Sequence, residues 1–321
     1  MSNAQAIIVI GASVGGVEAL RALAAGLPAD LPAAVFVVLH IGAHQSELPD
    51  LLNHAGALPA IHPQNGDTIH SGHIYVAPPD HHLTVEPGYM RLTKGPRENW
   101  ARPAIDPLFR TAAHAYGANV IGVILTGALN DGTAGLYEVK EQGGTTIVQD
   151  PADAMNASMP RSALAHVAID HCLPLAGMPQ LLVRLAHERA APSLDQPALT
   201  TSRGQVMTAN YTHEQPVAIT CPDCGGALRR TELGSLTQFR CHIGHVYTAE
   251  VMMEAQSAAT EQSLEAAMRS LRERTELCRQ MAEKAQAAND PSALTHWQAA
   301  NGEARDQATV LQKLLEKGAA L

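Results

Sequence analysis

Three residues able to do hydrolytic chemistry stand at the ends of apolar runs. Ser13 lies in Gly11-Ala12-Ser13-Val14-Gly15-Gly16, His40 closes the run 33–39, and Asp131 follows the run 120–125 within Thr126-Gly127-Ala128-Leu129-Asn130-Asp131-Gly132. A serine hydroxyl becomes a useful nucleophile when an imidazole takes its proton, and a carboxylate then holds that imidazole in the right tautomer. Glycines around Ser13 let the chain turn sharply and approach a ligand closely. A helix starting there would direct its free amides at the turn. Taken alone, the Gly-x-Ser-x-Gly letters also suit a structural turn or a phosphate-binding loop, although the dinucleotide fingerprint has glycine where Ser13 stands. A histidine ending a strand is often structural, and an aspartate before glycine often forms a turn. The joint placement of the three at strand ends is what points to a hydrolase.

A second group reads as a metal site. Cys221-Pro-Asp-Cys224 is followed, after sixteen residues, by Cys241-His242-Ile243-Gly244-His245. Tetrahedral zinc takes four nitrogen or sulfur ligands at such spacings. The expected set is Cys221, Cys224, Cys241 and His245, since His242 is too near Cys241 along the backbone to share one ion without strain. A reduced thiol cluster without metal is the alternative. A redox pair fits less well, because no thioredoxin-like helix follows the two cysteines. Four protein ligands would make the ion Zn²⁺ in a structural role, and a module this short needs such a staple to fold.

The elements that must position these residues alternate along the chain. Residues 6–10 and 33–39 are β-branched runs of buried-strand type, with Leu and Ala at helical spacing over 17–25 between them. This is a βαβ unit with parallel strands and a right-handed crossover. Residues 46–65 read as helix and loop, and 73–77 with 82–86 as a hairpin. Residues 107–116 then read as a helix, 120–125 as a strand, 133–142 as a helix, 145–148 as a strand and 179–187 as the last helix. The alternation predicts an α/β fold with a doubly wound, mainly parallel, Rossmann-like sheet, whose carboxyl edge would gather Ser13, His40 and Asp131. The expected organisation is a catalytic domain at 1–187, a linker at 188–216, a zinc module at 217–250 and a helical hairpin or coiled-coil tail at 251–321. In the tail, Leu264, Met268, Leu271, Thr275, Cys278, Ala282 and Ala285 form a seam at steps of four and three. Asp290 and Pro291 suit the cap and first turn of a second helix running to Lys317.

Several motifs together resemble one family. Val9-Ile-Gly-Ala-Ser-Val-Gly-Gly16 is similar to the nucleophile motif of the protein-glutamate methylesterases of bacterial chemotaxis, the CheB type. So are the strand ending at His40, Gly72-His-Ile-Tyr-Val-Ala-Pro-Pro-Asp-His-His-Leu83, Arg102-Pro-Ala-Ile-Asp-Pro-Leu-Phe109, Ile124-Leu-Thr-Gly-Ala-Leu-Asn-Asp-Gly-Thr-Ala-Gly135, Gln149-Asp-Pro151 and Ser158-Met-Pro-Arg-Ser-Ala163. The match runs in order over residues 6–183. The resemblance implies Ser13 as nucleophile, His40 as base and Asp131 as acid, with Val14 and Ala128 shaping the oxyanion pocket and no cofactor for catalysis. It implies hydrolysis of γ-glutamyl methyl esters on a methyl-accepting chemoreceptor, and deamidation of glutamine side chains. The family often has Thr where Val14 stands, and Met-Gly where Ala128-Leu129 stands, which touches the substrate more than the triad. Its familiar members carry a receiver domain ahead of the catalytic strand, so phosphorylation in cis is not expected here.

Composition narrows the alternatives. A net charge of -9 argues against nucleic-acid partners, which need basic patches. No apolar run reaches the roughly 18 residues of a membrane span, and residues 1–7 do not read as a signal peptide, so direct membrane insertion is not expected and the expected location is cytoplasmic. With aromatics at 3%, the core must be aliphatic. Cys172 and Cys278 read as buried small apolar residues. Arg102 and Asp106 could line a groove or hold a loop, and Asp80, His81 and His82 make a weak metal candidate because neighbouring strand residues face opposite ways. The rivals to a methylesterase are a non-catalytic scaffold, docking a signalling partner through the C-terminal helices, and a serine esterase of the same fold with another substrate.

Overall fold

A computed structural model describes residues 6–40, 46–190 and 215–318. Most of the expected linker (residues 191–214) lies outside the described residues, as do residues 1–5, at the start of the chain, and 41–45, after His40. Two compact units divide the chain, one reaching Met252 and the other beginning at Met253.

The first unit opens with β1 (Ala6–Ala12), α1 (Gly16–Ala25), β2 (Ala33–Leu39), α2 (Leu48–Ala55), β3 (Ala60–Ile61) and β4 (Ile74–Val76). It continues with β5 (His82–Glu86), β6 (Tyr89–Thr93), α3 (Ile105–Tyr116), β7 (Val120–Ile124), α4 (Thr133–Glu141), β8 (Thr145–Gln149), α5 (Ser158–His166), β9 (His171–Leu173) and α6 (Met178–Ala190). Seven strands form one parallel sheet in the order β3-β4-β2-β1-β7-β8-β9. Every residue of β1 and β2 is buried, as a strand covered on both faces requires. Ile8 and Ile10 pack under α1, α2 and α6, while Ile7 and Val9 pack under α3, α4 and α5. Each such aliphatic side chain contributes about 1.5–3 kcal/mol on burial. The sheet grows from β1 to β2 on one side and to β7 on the other. The carboxyl end of β1 is therefore the switch point, where open α/β sheets bind ligands.

Two expectations are corrected. Residues 73–77 and 82–86 do not form a hairpin with each other. β4 is buried on both faces and joins the main sheet beside β2, whereas β5 pairs with β6 across a Pro87-Gly88 turn in which Gly88 has φ 87°. The alternating burial of β5 suits a ribbon covered on one face. Cys172 is exposed, because it lies on edge strand β9, while Cys278 is buried as expected.

The first unit also contains an antiparallel sheet of β10 (Gln215–Thr220), β11 (Ala227–Leu233), β12 (Leu236–Cys241) and β13 (Val246–Thr248). From β13 the chain enters α7 (Ala249–Ala287), followed by α8 (Pro291–Gly318). In the second unit, Met268, Cys278 and Ala285 of the expected seam are buried and its other members half-buried. Asp290 Oδ1 accepts the Ala293 amide at 3.0 Å and caps α8.

Candidate active site

Strand register brings Ser13 and His40 to the same level. Ala12 of β1 pairs with Leu39 of β2, and the His40 amide donates to the Ala12 carbonyl. The Ser13 amide donates to the Thr126 carbonyl on the other side, just past β7. Gly15 at φ 77° then starts α1. Thr126 fixes this turn a second time, its hydroxyl donating to the Val14 carbonyl at 2.8 Å. Gly127 must lack a side chain, since a Cβ there would overlap Met159 and crowd Ser13. Among the described residues, no backbone acceptor takes the amides of Val14 and Ala128, which flank Ser13 and Gly127. No hydrogen bond among the described residues joins the Ser13 hydroxyl to the His40 ring, a bond that often tightens only when substrate binds.

His40 and Asp131 are joined directly, Nε2 to Oδ2 at 2.8 Å. Asp131 is buried at the N-terminus of α3, where it accepts the Ile105 amide at 2.7 Å and caps the helix from outside its own sequence. Its other oxygen accepts from the Gly132 amide at 3.0 Å and from Asn99 Nδ2 at 2.9 Å. Burial alone would raise its pKa, but the His40 bond and charge, the Ile105 amide and Asn99 outweigh that and hold it below the usual carboxylate value. Its neighbour Asp106 goes the other way, pushed well up by burial and by the Asp131 charge. Both shifts favour negative charge on Asp131, the carboxylate that faces His40, over Asp106. With Asp131 ionised, the His40 proton sits on Nε2, and Nδ1 carries the lone pair.

The remaining candidates are structural. Arg102 donates to Asp80 through Nε at 2.9 Å and Nη2 at 2.6 Å, and to the Gly95 carbonyl through Nη1, so it ties two loops together. His82 is buried between the Pro96 carbonyl and the Ala104 amide. Asn99 had no local signal, since it lies 32 residues from Asp131. Asn130 could have been suspected from its place beside Asp131.

The four expected metal ligands meet. Cys221, Cys224, Cys241 and His245 offer donor atoms that all lie within 4.8 Å of one another. Cys224 Sγ is 3.7 Å from Cys241 Sγ, and His245 Nδ1 is 3.6 Å from Cys221 Sγ and 3.5 Å from Cys241 Sγ. A tetrahedron with Zn–S of about 2.3 Å and Zn–N of about 2.0 Å has edges of roughly 3.8 and 3.5 Å, so the spacing suits such an ion. The other His245 nitrogen lies 3.8 Å from Asp223, the carboxylate partner that metal-bound imidazoles often have.

A doubly wound α/β protein with a histidine bonded to a buried aspartate beside a serine at the switch point has the make-up of a serine hydrolase. The family model described as CheB methylesterase matches residues 8–182, and the chain belongs to that family. It is 41% identical over 180 residues to a putative protein-glutamate methylesterase/protein-glutamine glutaminase of Leptospira interrogans, covering 56% of this chain and 93% of that one. It is 38% identical over 180 residues to protein-glutamate methylesterase/protein-glutamine glutaminase 2 of Anaeromyxobacter dehalogenans, of which it spans 53%. The crystal structure of the Thermotoga maritima CheB methylesterase catalytic domain superposes with a TM-score of 0.54 at 34% identity, covering 56% of this chain and 98% of that one.

Proposed function

We propose that this chain is a protein-glutamate methylesterase that removes methyl groups from glutamyl side chains of a methyl-accepting chemoreceptor. The observation that carries the reading is Asp131 bonded to His40 at 2.8 Å, with Ser13 at the same level just past the adjacent strand. Ser13 Oγ attacks the ester carbonyl as His40 Nδ1 takes its proton. The amides of Val14 and Ala128 stabilise the oxyanion. The imidazolium returns the proton to the leaving methoxide, methanol departs, and water then hydrolyses the glutamyl-serine ester by the same route. A glutamine side chain would lose ammonia through the same steps. Exposed Val14, Leu129 and Met155 border the turn and suit an apolar helix face better than a small charged substrate.

Cys221, Cys224, Cys241 and His245 would hold Zn²⁺ with no open position, which fits a structural ion and leaves the hydrolysis cofactor-free. Among the described residues no helix is long and apolar enough to cross a membrane, and the proposed place of work is the cytoplasm. The test is methanol release from methylated receptor. Ser13→Ala should reduce release by about 10³-fold or more with an unchanged circular dichroism spectrum. Equal release by variant and wild type would overturn the assignment.

A further inference from the structure

The Cys/His sheet is built onto the carboxylate that faces His40. Its last strand, β13, forms a parallel bridge with Glu98, and the Asn99 amide donates to the Val246 carbonyl at 2.7 Å. The Asn99 side chain is buried and fully used. Its oxygen accepts the Thr248 amide at 3.1 Å, and its nitrogen donates to Asp131 at 2.9 Å and Asp106 at 2.7 Å. A second link runs through Asn130, next to Asp131. Asn130 Oδ1 accepts the Thr248 hydroxyl at 2.7 Å, and its nitrogen donates to Glu250 at 2.7 Å. Thr248 itself is three residues beyond His245, and the intervening Tyr247 hydroxyl lies 3.4 Å from Cys221 Sγ. The Cys241–His245 turn closes with the Cys241 amide on the His245 carbonyl. A metal ligand, β13 and two asparagines thus form one continuous chain of contacts to Asp131.

We propose that the Cys/His sheet braces the catalytic acid: metal held by Cys221, Cys224, Cys241 and His245 fixes β13, and β13, through Asn99 and Asn130, holds Asp131 in the orientation that His40 requires. Asn99 is on this account a positioning residue, and turnover depends on metal occupancy although the metal touches no substrate. The inference rests on the methylesterase reading and adds a control to it. Loss of the brace frees one side of Asp131, so it lowers kcat while leaving the substrate-facing rim, and hence KM, in place.

The experiment uses the full-length chain, zinc-loaded and then stripped by a chelator, with metal content followed by elemental analysis. Wild type, Asn99→Gly and Thr248→Val are compared by methanol release and by amide exchange at Ile105 and Gly132, whose N–H groups bond Asp131. Asn99→Gly keeps the positive φ of 48° found there. Stripping should lower wild-type kcat about 10–100-fold with KM within about twofold, as loss of an outer-shell partner usually does. Asn99→Gly should show part of that loss with metal bound and a smaller further loss than wild type when stripped, because one of the two links is already cut. Thr248→Val should lie between, and it carries the test alone if Asn99→Gly does not fold. Undiminished kcat in the stripped wild type, multiplying losses in stripped Asn99→Gly, or a purified chain without metal would overturn the brace. If loaded wild type releases no methanol, the hydrolase reading fails instead, and amide exchange decides the brace: faster exchange at Ile105 and Gly132 on stripping supports it, unchanged exchange refutes it.

Discussion

At the scale of single residues, the site depends on where one charge sits. Asp131 and Asp106 are both buried, yet backbone and side-chain donors converge on Asp131 and leave the proton to Asp106. Asp131→Asn would replace one of two acceptor oxygens by an NH₂, which would face either the Ile105 amide or the Gly132 amide. We expect kcat to fall by about 10³–10⁴-fold, as for a triad whose imidazole takes the wrong tautomer, and stability to fall by about 1–3 kcal/mol from the amide left unpaired; steady-state kinetics and urea titration check the two. The gathering of Ser13, His40 and Asp131 at one sheet edge was legible because each stands at or shortly past the end of a local apolar run. Asn99 was not, since its bonds to Asp131 and Thr248 span 32 and 149 residues and its own segment carries no pattern.

At the scale of elements, the loop from Thr126 to Gly132 carries both the backbone that holds Ser13 and the acid that holds His40. Within it Leu129 has φ 59°, a conformation that a branched side chain resists by about 1–2 kcal/mol. Leu129→Gly should relieve this, less about 0.5–1 kcal/mol for the freer unfolded chain. The expected net gain is roughly 0.5 kcal/mol, read from the urea midpoint at constant slope. The parallel strands and their helices were readable because periods of two and 3.6 reflect which face is buried. The strands β10 to β13 were not. Ala227–Leu233 is largely polar and half-exposed, so no apolar face announces it, and converging thiols take the place of a core. The expected hairpin failed for a related reason: an apolar run of three residues does not say which partner strand it will find.

For the molecule as a whole, stability should fall on mild acidification. Burial pushes the His82 imidazole below its ordinary value, against the raising effect of the Pro96 carbonyl. The unfolded chain takes up that proton near pH 6.5 while the folded one does not, so the contribution is complete above about pH 6.5 and is lost as pH falls below it. Thermal melts between pH 7.5 and 5 should show a shallower slope for His82→Gln than for wild type. The doubly wound architecture followed from the sequence because alternation of strands and helices admits few packings. The docking of the Cys/His sheet onto the acid did not, because it is written in single hydrogen bonds between distant segments. The bonds that orient the acid close loops of 91, 118 and 149 residues. Such closures come late when a chain collapses, since each must offset its own entropy before any contact rewards it. A diluted, denatured chain should therefore regain its helical dichroism well before its first turnover, and the lag between the two signals would time the arrival of β13.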